Sequence, residues 1–213
     1  MTATTTTADL LPLPILQGER CLLRAYLARD AASMRRHADD AEVASNLFDG
    51  FPHPYPLAAA EAWCGHQANS GAFGYVWAIE VDGNAIGSIG LVPGTGWMRC
   101  NAETGYWIGR DYWRRGIASD ALRQVVDWGF AALPELTRMT AHIFASNEGS
   151  QAVARKCGYV REGAMPRSAI KDGRVIDRVV WATYRTEIAR RDAAVDAALA
   201  ATAATAATAM ERT

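Results

Sequence analysis

Between Tyr75 and Val92, side chains alternate along the chain with a period of two. Tyr75, Trp77, Ile79 and Val81 interleave with Val76, Ala78 and Glu80, then Asp82-Gly83 supplies a two-residue turn. Ala85 to Val92 returns as the partner strand of a hairpin. Pro93 to Gly96 turns the chain into a further strand, which carries Glu103 to Ile108. At Ile117 the period changes: Ala118, Ala121, Leu122, Val125 and Trp128 or Gly129 fall on one face of a helix. Thr137 to Phe144 predicts a strand and Ser150 to Lys156 a short helix. Tyr159 to Ile170 and Arg174 to Tyr184 predict a closing hairpin across Lys171-Asp172-Gly173. Upstream, Leu22 and Leu23 lie in a short strand ending at Arg24, and Ala28 to Ala38 and Leu57 to Ala68 predict helices. Strands and helices in this order imply an α+β fold, with a mixed, mostly antiparallel central sheet flanked by helices.

Three segments carry neither period. Asn46 to Pro56 holds three prolines and three aromatic residues in eleven positions, which forbids a regular helix or a central strand. It is either a rigid connector packed on the core or, through Phe51, His53 and Tyr55, one wall of an acceptor pocket held by the scaffold. Residues 1–19 open on a Thr/Ala run without the basic flank and apolar core of a signal peptide, and are expected to be a flexible tail. Residues 186–213 turn to alanine and threonine, with no strong apolar face, and are expected to be a frayed helix or disordered tail. The functional domain is therefore expected at 20–185.

With 22 basic and 23 acidic residues, no global field favours nucleic acid or an anionic membrane. The four cysteines (Cys21, Cys64, Cys100 and Cys157) are far apart and form no C-x-x-C pair. That fits free, mostly buried thiols in a reducing cytoplasm better than a disulfide framework or a zinc site. The four histidines are scattered; His53 and His142 are the two placed to face a pocket, and no metal is expected. No apolar run reaches the length of a membrane span.

The chemistry concentrates at the start of the predicted helix after Gly116. Helix starts favour Ser, Thr, Asp or Asn, whose side chains cap free N–H groups. Here Arg114, Arg115 and Gly116 precede the helix, the wrong charge for the positive end of its dipole. An isolated Arg-Arg-Gly is an ordinary solvated turn, but this start makes sense if an external anion completes it. The flanks, E-T-G-Y-W-I-G and Y-W-R-R-G-I-A-S-D-A-L, resemble the pyrophosphate-loop motif of the GNAT superfamily of N-acetyltransferases. The likeness is to the RimJ/RimL-type, ribosomal-protein branch, and it spans about residues 20–185. The superfamily pattern runs Gln or Arg, two residues, Gly, one residue, Gly or Ala. Gly116 and Ala118 match it, while Trp113 stands at the first position, as is familiar in that branch.

The resemblance implies a GNAT fold and acetyl-CoA as co-substrate. The pyrophosphate would be held by the amides of Arg114, Arg115, Gly116, Ile117, Ala118 and Ser119. Tyr106, Trp107, Ile108 and Gly109 would form the splayed strand that offers backbone groups to the pantetheine arm. A second family motif, A-S-N-E-G-S-Q-A-V-A-R-K-C-G-Y, implies that Asn147 bonds this arm and that Ser150 lies near the sulfur. Ser150 also fits a plain N-cap. Many relatives place a tyrosine acid where this chain has Ala154, which leaves Ser150 as the candidate for the sulfur, directly or through water. Glu103, on the strand before the loop, is the candidate base for an amine that must lose a proton, or else a solvated strand carboxylate.

Two functions of different class follow. One is an N-acetyltransferase moving acetyl directly to a primary amine, a protein N-terminus or a small molecule, in a ternary complex. The other is a catalytically impaired acyl-CoA-binding sensor or scaffold. A nucleotide-binding domain is disfavoured because no G-x-x-x-x-G-K-[ST] loop is present. The expected partners are acetyl-CoA and the amine acceptor in the cytoplasm, without nucleic acid or membrane; a homodimer is left open.

Overall fold

The computed structural model describes residues 10–186. The chain divides into one compact unit, Met1–Thr183, and a second, Tyr184–Thr213, of which only the first three residues are among those described. The expected alanine/threonine tail lies almost wholly outside the described residues.

Eight strands form one sheet. In chain order they are β1 (Leu16–Gln17), β2 (Leu22–Arg24), β3 (Tyr75–Val81), β4 (Asn84–Pro93), β5 (Asn101–Ile108), β6 (Arg138–Phe144), β7 (Val160–Lys171) and β8 (Arg174–Tyr184). Their spatial order is β1-β2-β3-β4-β5-β6-β8-β7. The β1 to β5 neighbours pair antiparallel, as do β7 and β8, whereas β5 and β6 are parallel. A parallel pair needs a crossover, and α4 (Ile117–Ala132), the longest helix among the described residues, supplies it. The other α-helices among the described residues are α1 (Ala31–Ala38), α2 (Ala41–Ala44), α3 (Leu57–Gly65) and α5 (Glu148–Lys156).

Alternation along β3 explains the layering. Tyr75, Trp77 and Ile79 join one core cluster, with Ile117, Ala121, Leu122 and Val125 of α4. Val76 and Ala78 join the other, with Met34 and Ala38 of α1 and Ala60 and Cys64 of α3. A central strand covered on both faces carries apolar side chains at both parities. Side chains such as Trp77 and Leu122, fully buried here, each contribute about 1.5–3 kcal/mol by leaving water. Arg24 is buried too, where Asp30 grips its guanidinium with two hydrogen bonds of 2.6 and 2.9 Å and Glu80 takes its Nε.

Three expectations change. The described part of the expected N-terminal tail is packed on the sheet: Leu10, Leu13 and Leu16 touch the core, and Trp77 Nε1 donates to the Pro14 carbonyl at 2.9 Å. The helix expected over Leu57 to Ala68 ends at Gly65 and is followed by a 3-10 turn, Gln67–Asn69. The short helix near the end of the domain starts at Glu148, before Ser150, for a reason that bears on the site.

Candidate active site

The site is built where β5 and β6 separate. β5 stays in register with β4 from Ala102 to Ile108, but its register with β6 ends at Glu103↔Thr140. Side chains close the vertex. Thr104 Oγ1 donates to the Thr140 carbonyl at 2.9 Å, and Thr140 Oγ1 to the Ala102 carbonyl at 3.3 Å. Beyond them the β5–β6 ladder stops, and this end of the pairing, bordered by the β6-facing edge of Gly105 to Ile108, is here called the opening.

Alternation sorts the β5 side chains to the two sides of this opening. Ala102, Tyr106 and Ile108 face the α4 core cluster, whereas Trp107 packs into the opposite cluster with Phe51. Glu103 shares the parity of Trp107. On β6, Met139, Ala141 and Ile143 belong to the α4 side, which leaves His142 on the side of Glu103. His142 Nδ1 lies 3.1 Å from Glu103 Oε1. That hydrogen bond, with the nearby His142 and Arg178 charges and against an opposing effect of burial, holds the Glu103 carboxyl below its ordinary value.

The turn after β5 is braced rather than loose. Trp113 Nε1 donates to the Ile108 carbonyl at 2.9 Å, a physical role for the tryptophan at the odd position of the motif. Arg114 takes a left-handed φ of 62°, and Arg115 lies over the Tyr112 ring at 5.3 Å. Gly116 is the residue before α4, with φ 77° and no side-chain cap. The helix start is therefore open, as the sequence implies. A Cβ at Gly116 would also sit 3.2 Å from Arg20 Nε.

Arg20 is the functional candidate that the sequence does not reveal. Asp120, in the first turn of α4, is buried and accepts from Arg20 N at 3.0 Å and Glu19 N at 3.4 Å. This pins the β1–β2 turn over the helix start, where Arg20 Nη1 reaches the Arg115 carbonyl at 3.4 Å. The same carboxylate, after burial itself, helps push the Cys21 thiol up to about 12. Together Arg20, Arg114, Arg115, Arg123 and Lys156 ring a cleft of about 510 Å³ floored by Gly116 and Ser119. Ile117, Ala118 and Ser119 are buried at the start of α4, and Ser119 is among the residues that line the cleft. An open helix start, a left-handed glycine and five cations fit a polyphosphate group.

On the α5 side, Asn147 caps the helix: its Oδ1 accepts from Ser150 N at 2.9 Å. The N-cap alternative for Ser150 is thus corrected, because the cap falls three residues earlier. Ser150 Oγ instead lies 2.9 Å from the Tyr106 hydroxyl. Gly109 follows β5, and its N–H is taken by the Ile86 carbonyl at 2.8 Å, which removes that amide from any ligand.

The proline-rich segment is irregular, as expected, and follows the single-turn α2, which the sequence did not signal. Its three candidates do not act alike. Phe51 is half-buried and meets the Trp107 ring at 5.5 Å. Tyr55 is only 5% exposed and packs on Phe51 at 4.9 Å, so its part is to hold Phe51 in place. His53 turns to Asp39, with Nδ1 3.7 Å from Oδ1.

Known proteins agree with this architecture. The acetyltransferase (GNAT) domain family matches residues 20–160. The chain is 29% identical over 178 residues to the uncharacterized N-acetyltransferase YoaA of Bacillus subtilis, covering 81% of this chain and 97% of that one. Among solved structures it is similar to Mycobacterium smegmatis RimJ in complex with CoA-disulfide (24% identity, TM-score 0.72, 82% of this chain and 88% of that chain). It is also similar to the ribosomal-protein-S5-alanine acetyltransferase of Vibrio fischeri (19% identity, TM-score 0.66, 80% of this chain and 96% of that chain). Among the described residues no helix is long and apolar enough to cross a membrane, and no cluster of metal-ligating side chains occurs. With the motif at the α4 start, the opening between β5 and β6 and the family match over most of the folded unit, the chain belongs to the GNAT acetyltransferases.

Proposed function

We propose that this acetyltransferase moves an acetyl group from acetyl-CoA directly to a primary amine, with both substrates bound at once. The observation that carries the reading is the opening between β5 and β6, with a cationic cleft on one side and the Glu103–His142 pair on the other. Acetyl-CoA supplies an acetyl group activated as a thioester, along with phosphates to anchor it. The α4 start and its five cations hold the phosphates, and the free edge of Gly105 to Ile108 lines the pantetheine path. A backbone N–H on this edge polarises the acetyl carbonyl, a contribution of roughly 3–4 kcal/mol for one such donor. Glu103 and His142 take the amine proton, through water, and Ser150 donates to the departing sulfur.

Direct transfer is supported by the cysteines. Cys157, near the cleft, donates to the Ser119 carbonyl at 3.2 Å, and burial pushes its thiol up, which makes it a poor acyl acceptor. The likeness to the S5-alanine enzyme supports a protein N-terminus as acceptor, and the Phe51–Trp107 wall suits an ammonium group through its aromatic faces. Small amines remain the competing class. The test is release of free thiol from acetyl-CoA against a panel of peptides with free N-termini, polyamines and amino sugars. Amine-dependent release is expected. Tight CoA binding with no release for any amine would leave the sensor or scaffold reading instead.

A further inference from the structure

GNAT-type transfer leaves a sulfur that must be stabilised as it departs, and α5 itself offers no phenol: Ala154 is fully buried against the core. Because Asn147 caps the helix, the Ser150 hydroxyl is free of that duty. A lone serine hydroxyl can rotate, however, and a donor that points elsewhere does nothing for the sulfur. The alternation of β5 sends Tyr106 to the α4 and α5 side of the sheet, where its hydroxyl lies 2.9 Å from Ser150 Oγ and 3.1 Å from the Ser150 carbonyl.

We propose that Tyr106 is a positioning residue for acyl transfer: of the two acceptors in reach of its single proton, the Ser150 carbonyl at 3.1 Å and Ser150 Oγ at 2.9 Å, it donates to the nearer Oγ and thereby turns the Ser150 proton toward the sulfur. The proposal rests on the role given to Ser150 above. In the step, the acetyl carbon bonds to the amine nitrogen and its bond to sulfur breaks, the electron pair staying on sulfur. The amine proton goes to the Glu103–His142 pair through water and returns from solvent to the sulfur after release. Ser150 and Tyr106 keep their protons throughout and act by hydrogen bonding. Burial raises the Tyr106 phenol well above its ordinary value, so it stays neutral and remains a donor at every working pH.

The test compares CoA with its desulfo analogue by calorimetry between pH 7 and pH 9.5, a range that brackets a thiol pKa of about 8.5. In the native protein the preference for CoA should grow with pH, because an aimed Ser150 hydroxyl stabilises the ionised sulfur. Tyr106→Phe keeps the ring in the core and should flatten this dependence, as should Ser150→Ala, while affinity for desulfo-CoA stays unchanged in both. In turnover, Tyr106→Phe should lower kcat about tenfold, the scale of one lost hydrogen bond to a charged centre, with acceptor KM preserved. The double variant should be no slower than Ser150→Ala alone, because Tyr106 acts only through Ser150. Ser150→Thr, which retains a hydroxyl, should recover the pH dependence only when Tyr106 is present. Loss of function in Ser150→Ala with wild-type behaviour in Tyr106→Phe would overturn this proposal and leave the Ser150 assignment standing. Wild-type kcat in Ser150→Ala overturns both. Additive losses in the double variant also reject it, since they would mean that Tyr106 acts independently.

Discussion

The hydrogen bond from His142 makes Glu103 a weaker base than an ordinary glutamate but keeps it ionised wherever an amine acceptor is reactive. Proton removal then depends on water relay and on the acceptor's own ionisation, which for an α-amine falls near pH 7.7–8.0. Glu103→Gln should lower kcat by roughly 10²–10⁴ with CoA affinity unchanged, and the defect should shrink as pH rises and more amine is already neutral. If Glu103 only holds the ammonium by charge, acceptor KM rises instead and the kcat profile persists; steady-state kinetics across pH 6–9 separate the two. At Gly116 the argument is steric. A β-branched side chain fits a φ of 77° poorly, and its Cβ would press on Arg20. Gly116→Val should abolish CoA binding by calorimetry; a folded variant with native affinity would remove Gly116 from the anion site.

At the scale of elements, the anion site belongs to two pieces of chain about a hundred residues apart, α4 and the β1–β2 turn, joined by Asp120. Arg20→Ala should weaken CoA several-fold at low salt, in line with about 1 kcal/mol for a partly exposed charge pair, and less at high salt, where such contacts are screened. Equal losses at both salt concentrations would point to lost packing rather than charge. The α4 side of this junction is legible in the sequence because it is local: a change of period at Ile117 and an uncapped start at Arg-Arg-Gly. The Arg20 side is not, since two residues of β1 carry too little pattern to be seen, and the Asp120 bonds depend on tertiary placement. The same distinction explains the rest. The β3–β4 hairpin and the irregular proline segment follow from local chemistry. The Tyr106–Ser150 contact, the His142–Glu103 pair and the burial of Tyr55 under Phe51 each depend on a neighbour distant in sequence. Asn147 illustrates a nearer ambiguity: Asn147 and Ser150 are both good caps, and only backbone geometry decides between them.

Across the described residues, the sheet acts as a partition, interrupted where the β5–β6 ladder ends. The cationic cleft and Ser150 lie on the α4 and α5 side, and Glu103, His142, Phe51 and Trp107 on the α1 and α3 side. Arg115 and Phe51 therefore lie on opposite faces, and distant sites of this kind perturb function independently. Arg115→Ala should raise KM for acetyl-CoA and leave the acceptor KM nearly native. Phe51→Ala should do the reverse, because it removes the Trp107 contact without touching the phosphate cleft. In the double variant the two penalties should add as free energies to within about 0.5 kcal/mol. Initial-rate plots at several fixed acceptor concentrations should intersect, as direct transfer with both substrates bound requires. Parallel lines would signal an acetylated enzyme between two half-reactions, and with it a nucleophile in the opening. A strong coupling between Arg115 and Phe51 would show that the sheet does not separate the two halves, because a change on one face would then be felt through β5 on the other.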